Sequence, residues 1–489
     1  MVPGILILVT FFLMFFLSST VPTFVAVFII FYQTYWLLRT VYLFILLHLT
    51  NRKMRVNEKI NWLQKLKIDF PHYEDIYHVV ILPMYDEPHI IVSESFGRLA
   101  GSNYPKDKMI VVLATEERAG EAAEQTARKI EADYGDVFYK FLITTHEANL
   151  PGEIPGKGSN ETWAAKRLKE QIIDPLKIPY ENILVSVFDV DSQVKSEYFG
   201  VLTHAFFSSP NKMRSSYQPI PVFTNNVFEA PFIARLAAFS STFWHMMQQN
   251  RPESLTTFSS QSIPWIALND IGFWSTNIVS EDSRIFWQCY MHYGGDWRTV
   301  PLFYPISMDA NVARTFFKTA VNIYKQQRRW AWGSENIPYI LTNFIRNRKI
   351  PGKLYWSFYK LEAFHSWATS SIILFALGWL PILLGGEDFH LTVLSYNLPR
   401  ITGSIMIFAN IGIASSAILS VILLPPKPDW FRPRHYIYFV LQWIFMPISF
   451  IFFGSLPSIE AQLRLMLGGR FRLGFWVTPK MRRSEAVIN

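Results

Sequence analysis

Hydrophobic and polar positions are unevenly distributed along this chain of 489 residues. Apolar runs with few charges occupy residues 1–50 and 361–459, whereas most Asp, Glu, Lys and Arg residues lie between 51 and 360 and after 459. The apolar runs are long enough for membrane-crossing helices, and the central segment is long enough to bury its own core. The pattern therefore predicts membrane helices on both sides of a water-soluble domain.

Five apolar runs are candidates for membrane spans. The first two are separated by the break Ser19-Thr20-Val21-Pro22. A secretory signal peptide is the alternative for the first run, but no basic residues precede it and a second apolar run follows at once. The five runs cover residues 4–17, 21–48, 361–384, 401–424 and 436–456.

Charges beside these runs predict the orientation. Basic residues precede the third run, and the acidic pair Glu387 and Asp388 follows it, so the central domain is expected in the cytoplasm. Basic residues after the fourth run and in the tail also indicate the inside, which conflicts with a single crossing by the fifth run. We therefore expect Pro447 to split the fifth run into two half-length pieces that re-enter and return.

The central domain alternates short β-rich runs with helical patterns. This alternation predicts an α/β sheet that is largely parallel, with ligands bound beyond the carboxyl ends of its strands. The predicted strands are 78–85, 109–114, 137–143 and 183–188, and helices are expected to start near Pro88, Arg118, Asn160 and Ser196.

Acidic residues follow three of these strands. Asp86 follows the first strand, Glu116 the second, and Asp189-Val190-Asp191 the fourth. A solvated loop also carries acids, but the position of all three groups at strand ends favours a binding site. Asp189 and Asp191 offer the oxygen ligands that Mg²⁺ or Mn²⁺ prefers.

Two further segments carry candidate chemistry. Lys157 stands between two glycines ahead of Asn160, where a turn entering a helix can bring backbone N–H groups and an ammonium near phosphate. The alternative is a simple surface turn. Glu281 and Asp282 open a helical stretch, where an acid ordinarily caps the helix but can also act as a general base towards an acceptor hydroxyl.

A basic and aromatic segment, Gln326-Gln327-Arg328-Arg329-Trp330, comes next. It could anchor a helix at the level of the lipid headgroups. Alternatively, Arg329 could bind a pyrophosphate while Trp330 presents its ring to a sugar.

Composition excludes two classes of site. The net charge of +8 is not arranged as a basic stripe with base-reading side chains, so a nucleic-acid partner is not expected. Cys289 is the single cysteine, which excludes a disulfide within the chain and a thiolate metal site.

Taken in order, these motifs resemble the membrane-embedded family 2 glycosyltransferases, the group of cellulose, chitin and hyaluronan synthases. The resemblance also includes Phe475-Trp476-Val477-Thr478-Pro479-Lys480, which is similar to the FxVTxK gating loop of bacterial cellulose synthases. It implies a Rossmann-like GT-A domain joined to a multipass helical membrane domain. Some positions depart from the family pattern, because Thr115-Glu116-Glu117 stands where many relatives carry an aspartate pair.

The resemblance also implies roles for individual residues. Asp282, with Glu281, would be the base, and Asp189 and Asp191 would hold the metal. The donor would contact Asp86, Glu116, Lys157, Asn160, Asp189, Asp191, Arg329, Thr478 and Lys480. The acceptor would contact Gln326, Trp330 and a loop in which Ser259 and Ser260 stand in place of the family's glycine.

The implied activity is inverting transfer from a nucleotide sugar, a UDP-sugar, to a growing β-linked polysaccharide, together with its translocation. The alternative is transfer of one sugar to a lipid acceptor at the membrane face. The sugar and the oligomeric state stay open. The expected divisions are 1–50 (two membrane helices), 51–330 (catalytic domain), 331–360 (amphipathic interface helices), 361–459 (membrane helices) and 460–489 (cytoplasmic tail).

Overall fold

A computed structural model describes residues 1–479 and 481 of the chain. Two apolar helices, Val2–Thr20 and Pro22–Asn57, are followed by an α/β domain and then by further apolar helices. Val21 separates the first two helices, which confirms the break expected at this position. Proline in the first turn of Pro22–Asn57 suits a helix start, because the N–H that proline lacks has no partner there.

One mixed sheet forms the centre of the α/β domain, in the order β3-β2-β1-β4-β6-β5-β7. Only β6 runs antiparallel to its neighbours, so the predicted, largely parallel α/β sheet is confirmed. The strands are β1 (Tyr77–Pro83), β2 (Met109–Glu116), β3 (Lys140–His146), β4 (Ile183–Val187), β5 (Ser215–Val222), β6 (Ser262–Pro264) and β7 (Arg298–Ser307).

The strand predicted at 137–143 was placed too early. The Val137 N–H bonds the Tyr134 carbonyl in the turn that closes a helix, and pairing in β3 begins only at Lys140. The apolar Val137 and Phe138 resemble a strand start by composition, but Phe138 is buried in the core beside the helix end. Strands β5, β6 and β7 lay outside the sequence prediction.

Alternation along β1 divides the core between the two faces of the sheet, because successive strand residues point to opposite sides. Val80 and Leu82 join a buried cluster with Phe96 on one face. Val79 and Ile81 join a second cluster with Trp265 on the other face. Both faces of the central strands are covered, which explains their near-continuous hydrophobic sequence.

Helices cover the sheet, and the four predicted helix starts lie within three residues of observed ones. The α-helices of this part of the chain are Trp62–Asp69, His89–Ala100, Glu121–Tyr134, Lys157–Leu168, Tyr198–Ser208, Phe232–Gln249, Trp265–Asp270, Glu281–His292, Phe316–Ala331 and Asn336–Arg346.

Within the described residues, four helices are long and apolar enough to cross a membrane: Val2–Thr20, Pro22–Asn57, Val393–Ile422 and Pro433–Leu467. A fifth candidate is the pair Lys353–Phe375 and Leu377–Leu384, which bends by 56°. Short helices Leu380–Leu384 and Gly386–His390 form the end of this pair and the loop after it.

Contacts among the apolar helices define two ends. A Cβ at Gly4 would stand 2.8 Å from Met466 Cβ, so the start of the first helix lies beside the end of the last. At the opposite end, a Cβ at Gly385 would stand 2.9 Å from Pro22 Cβ. The loop after the bent pair therefore lies beside the turn between the first two helices.

The fifth apolar run does not split at Pro447, contrary to the expectation. Helical structure continues through Pro433–Leu467 because Pro447 follows a 3₁₀ turn, Gln442–Phe445, and lies in the first turn of the next segment. A π-helical segment, Ile451–Ser455, adjusts the backbone further along.

Both ends of this stretch nevertheless contact the α/β domain. The ring of Phe439 lies 6.1 Å from that of Phe228, and Glu460 lies 2.5 Å from Arg328. The segment that follows the stretch therefore stays beside the domain.

Candidate functional site

The predicted residues at the ends of β1 and β2 form one edge of a candidate site. Glu116 is buried and accepts a hydrogen bond of 3.0 Å from Arg118, whose guanidinium lies 4.6 Å from the centre of the Tyr85 ring. Asp86 follows Tyr85 and is exposed. The end of the sheet thus presents an aromatic face, a guanidinium and a carboxylate close together, with Asp86 next in the chain.

Lys157 lies at the centre of the site. Its Nζ is 2.9 Å from Asp189 Oδ1, 3.5 Å from Glu161 Oε1 and 3.9 Å from Glu281 Oε1. Burial lowers the pKa of Lys157, but Asp189, Glu161, Glu281 and Asp282 raise it further, so the net pKa is well above its ordinary value. The lysine is therefore charged and joins acids from three segments of the sequence.

The turn that carries Lys157 is buried, so the surface-turn alternative is wrong. A Cβ at Gly158 would stand 2.8 Å from Glu281 Cβ, which explains why the helix can approach the acidic pair so closely. Asn160 is also buried and donates a hydrogen bond of 2.7 Å to the Ala114 carbonyl. Asn160 thus attaches the helix to β2 and lies beneath the site, away from its surface.

Asp189 and Asp191 follow β4 and differ in their surroundings. Asp189 has 28% of its side chain exposed, and its Oδ2 accepts a hydrogen bond of 2.7 Å from Ser259. Asp191 is buried, and its Oδ2 accepts a hydrogen bond of 3.1 Å from the Asp309 N–H. Asp189 is therefore the more accessible of the two acids.

These two acids are the candidates to hold a divalent cation. Among the described residues, no group of three His, Cys, Asp or Glu side chains is arranged to hold a metal ion. Mg²⁺ bound to a nucleotide commonly uses only one or two carboxylates and takes its other ligands from phosphates and water. The carboxylate oxygens of Asp189 and Asp191 fit that type of site, and the Asp189 carboxylate is accessible.

Glu281 and Asp282 begin the helix Glu281–His292, as the sequence predicted. The capping interpretation holds in part, because Asp282 Oδ1 accepts a hydrogen bond of 2.7 Å from the Ser283 N–H. Burial raises the pKa of Asp282, while the charges of Lys157 and Arg329 act against that rise, and the net pKa is above its ordinary value. A carboxyl that has a raised pKa and is influenced by two cations suits proton transfer.

A further buried acid, Glu161, was missed by the sequence analysis. Burial raises its pKa from 4.5 to about 8, although Lys157 opposes that shift. Burial likewise raises the pKa of Glu281 well above its ordinary value. The one sequence signal for Glu161 is its place one helical turn after Lys157, which is also typical of an ordinary surface pair.

The Gln326–Trp330 motif lies near the end of the helix Phe316–Ala331, and its two arginines have different roles. Arg328 pairs with Glu460 of the last apolar helix and so joins the motif to that helix, while anchoring at the lipid headgroups stays a prediction. Arg329 contributes its charge to the surroundings of Asp282. Gln326 accepts a hydrogen bond of 3.4 Å from Asn311, and the Trp330 ring lies 6.2 Å from that of Phe223.

The Phe475 segment of the tail folds back over the site. A Cβ at Gly156 would stand 2.6 Å from Phe475 Cγ, so the phenylalanine ring rests on the glycine just before Lys157. The Arg329 guanidinium lies 5.0 Å from the centre of the Phe475 ring. The Thr478 hydroxyl is buried and has no hydrogen-bond partner among the described residues. Lys480, predicted to bind the donor, lies outside the described residues.

The two serines of the acceptor loop have different environments. Ser259 contacts Asp189, as described above. Ser260 is fully buried and has a φ angle of +66°, a left-handed conformation that favours glycine. This backbone explains why the loop resembles a glycine-containing one, and it places Ser260 inside the loop packing.

A second group that the sequence analysis missed follows the Gln326–Trp330 motif. The Glu335 side chain accepts hydrogen bonds from Val279 and Ser280, just before the acidic pair. Asn336 donates to Ser280 and Ser283. Nothing in the local sequence indicates these contacts, because they join residues more than fifty positions apart.

Comparison with known proteins identifies a family. Residues 184–453, more than half of the chain, match the family model described as "Glycosyl transferase family group 2". No curated protein matches the sequence.

Similarity to solved structures is low. The mannosyltransferase PcManGT from Pyrobaculum calidifontis, in complex with GDP-Man and Mn²⁺, is 13% identical with a TM-score of 0.39, over 83% of this chain and 97% of that one. S. aureus TarS 1-349, in complex with UDP-GlcNAc, is 12% identical with a TM-score of 0.35, over 81% and 93%. At these values neither structure bears on the donor or acceptor of this chain.

Proposed function

This chain belongs to family group 2 of the glycosyl transferases, and from that membership we propose that it is an inverting membrane enzyme with a GT-A catalytic domain. It transfers a sugar from a nucleotide-sugar donor, a UDP-sugar, to a growing β-linked polysaccharide. We further propose that the catalytic domain faces the cytoplasm and that the apolar helices lie in the cell membrane.

A single observation carries the proposal. Lys157 contacts Asp189 at 2.9 Å and Glu281 at 3.9 Å, so one ammonium joins the acids after β4 to the pair that begins the helix Glu281–His292. An inverting transfer needs a donor diphosphate and an acceptor hydroxyl on opposite sides of one sugar carbon. The acids after β4 would hold the diphosphate through a divalent cation, and the acidic pair would hold the acceptor hydroxyl. Lys157 joins these two groups.

Asp282 is the proposed base. Its ionised carboxylate removes the proton from the acceptor hydroxyl while that oxygen bonds to the anomeric carbon of the donor sugar. The bond from that carbon to the nucleotide diphosphate breaks in the same step, and its electron pair leaves with the diphosphate. One carboxylate suffices for this direct displacement, which inverts the configuration at carbon.

Cationic side chains act on the leaving diphosphate. Arg329 is suited to bidentate contact with phosphate oxygens, and Lys157 supplies a compact charge from the helix start. Asp189 and Asp191 would hold Mg²⁺ or Mn²⁺, which neutralises diphosphate charge when it is bound. We expect the nucleoside to contact Tyr85, Glu116 and Arg118 at the ends of β1 and β2.

The position of the tail supports the proposed topology. The start of the first helix, the end of the last and the Phe475 segment all lie on the side of the catalytic domain. The loop after Leu384 lies at the opposite end of the apolar helices, beside Pro22. Arg464, Arg470 and Arg472, the basic residues in the described part of the tail, then face the cytoplasm together with the domain.

Incubation of the purified protein with a panel of UDP- and GDP-sugars tests the function. We expect release of nucleotide with one donor, dependent on added acceptor and on Mg²⁺ or Mn²⁺. The matched control is Asp282→Asn protein under the same conditions. Failure of the wild-type protein to release nucleotide from every donor, with lipid and glycan acceptors both present, would contradict the proposal.

A further inference from the structure

Glu335 connects two segments of the proposed site that are distant in sequence. It ends the 3₁₀ turn Trp332–Glu335, which begins two residues after Trp330. Its Oε1 accepts hydrogen bonds from the Val279 N–H (3.1 Å), the Ser280 N–H (3.0 Å) and the Ser280 hydroxyl (2.7 Å). Its Oε2 accepts a bond of 3.0 Å from the Trp332 indole N–H. Both carboxylate oxygens are thus occupied.

Asn336 extends the connection into the helix that begins with the acidic pair. Its side-chain amide donates to the hydroxyls of Ser280 (3.3 Å) and Ser283 (3.0 Å). Its carbonyl oxygen accepts a bond of 2.5 Å from Arg284 Nε. Ser280 and Ser283 flank Glu281 and Asp282, so these contacts hold both ends of the first turn.

Burial makes these contacts consequential. Ser280 is 8% exposed and Asn336 is 3% exposed. Hydrogen bonds to an ionised acceptor are stronger than neutral ones, and a buried N–H left without a partner is strongly unfavourable. The direction in which residues 279 and 280 enter the helix is therefore set by Glu335.

Glu335 acts on Asp282 through geometry. Burial and the charges of Lys157, Arg329 and Asp189 shift the pKa of Asp282, whereas the hydrogen bonds of Glu335 go to Val279, Ser280 and Trp332. A carboxylate that fixes the backbone two residues before a base controls where that base points. Small displacements of a catalytic group greatly reduce rate, because attack requires close alignment.

We propose that Glu335 is a positioning residue that holds Asp282 against the acceptor hydroxyl and couples it to the Gln326–Trp330 motif. The inference rests on the proposed function, because it assumes that Asp282 is the base. The turn that follows the helix carrying Arg329 and Trp330 thereby fixes the acidic pair.

The first test is Glu335→Ala in the full-length protein. We expect the turnover rate to fall roughly 10- to 100-fold, while the donor Michaelis constant and nucleotide affinity stay unchanged. Glu335→Gln should restore part of the rate, because its side-chain oxygen can still accept from Val279 and Ser280. The side-chain NH₂ group of the glutamine, however, would face the Trp332 indole N–H, and two donors cannot bond each other, so the rescue should be incomplete.

A double variant separates positioning from general damage. If Glu335 acts through Asp282, then Glu335→Ala should reduce turnover no further in an Asp282→Asn background, since residues that act as one unit are non-additive. A merely structural role would multiply the two losses. A multiplied loss, or full activity in Glu335→Ala, would overturn the inference.

The matched control is Glu197→Ala. Glu197 also accepts a backbone hydrogen bond, from Leu63 (2.9 Å), and one from the Asn103 side chain (2.5 Å). We expect Glu197→Ala to lower the unfolding temperature without changing the ratio of the turnover rate to the donor Michaelis constant. Absence of any transfer by wild-type protein would refute the proposed function itself. A Glu335→Ala enzyme that behaves like Glu197→Ala would refute only the positioning role.

Discussion

Lys157 Nζ lies 2.9 Å from Asp189 Oδ1, so the lysine expected to bind phosphate is already paired with the acid expected to bind metal. Buried charges are retained only where partners compensate for their loss of water. Arrival of a cation and a diphosphate would give both groups new partners of opposite charge. The ion pair therefore keeps the site ordered before the donor binds.

Asp189→Asn and Asp191→Asn should each reduce transfer at least roughly 10²-fold, because an amide offers no charge to the cation. Metal-dependent nucleotide binding should weaken as well. Isothermal titration of the nucleotide with and without Mn²⁺ measures this effect. Variants that bind and turn over like the wild type, or wild-type turnover that persists in EDTA, would contradict the metal role.

Asp282→Asn should leave nucleotide binding intact while transfer falls by roughly 10² or more, as expected for loss of a general base. The asparagine keeps the side-chain oxygen that accepts from the Ser283 N–H, so the helix start should persist. Equilibrium binding and turnover, measured on the same preparation, separate the two effects. An equal loss of donor affinity would assign Asp282 to donor binding or to structure.

Glu161 should make stability depend on pH. Its pKa is raised from 4.5 to about 8 in the folded protein. At pH values between these two, the carboxyl therefore takes up a proton when the protein folds. The stability from this group is fully present below the unfolded pKa and is lost as the pH rises through the folded pKa. Because Glu161→Gln cannot ionise, its unfolding temperature should decline less than that of the wild type over this range.

Intrinsic tryptophan fluorescence in detergent measures the unfolding temperature for this comparison. Glu170→Gln is the matched control, because Glu170 is 60% exposed and pairs only at the surface with Arg167. Parallel pH curves for the wild type and Glu161→Gln would show that Glu161 does not hold its proton in the folded protein.

The sequence predicted the parts of the fold that depend on local patterns. Four strands, the helix after Lys157 and the acids at strand ends follow from hydrophobic periodicity and turn residues. β6 has only three residues, Ser262–Pro264, and its pairing depends on β4 and β5 on either side. The role of Glu335 could not be predicted either, because its partners lie on a separate segment of the sequence. The expected break at Pro447 was wrong, because proline stops a helix in its interior but is accommodated in a first turn.

Gly156→Ala should displace the tail. The added Cβ would stand 2.6 Å from Phe475 Cγ, so the phenylalanine ring must leave its place beside Arg329. We expect a higher donor Michaelis constant and lower turnover, because closure of such a segment completes a site. Phe475→Ala should act in the same direction, and the double variant should be no worse than either.

Gly474→Ala provides the control for the tail, because no atom of the described residues, its chain neighbours aside, lies within 4 Å of a Cβ at that position. This variant should leave the donor Michaelis constant unchanged. Gly156→Ala kinetics that match those of the wild type would show that the Phe475 contact has no part in donor binding.

We expect product length to depend on Trp330, whose ring lies 6.2 Å from that of Phe223 at an angle of 43°. If the ring supports the terminal sugar of a growing chain, it must hold a glycan that remains bound after each transfer while the Phe475 segment admits fresh donor. Trp330→Ala should then shorten the products as well as slow the reaction. Trp330→Phe, which keeps an aromatic face, should shorten them less. Electrophoresis of labelled products at saturating donor resolves the lengths. Wild-type protein that yields only singly glycosylated lipid, with no ladder of longer products, would overturn the synthase and leave the enzyme that adds one sugar to a lipid.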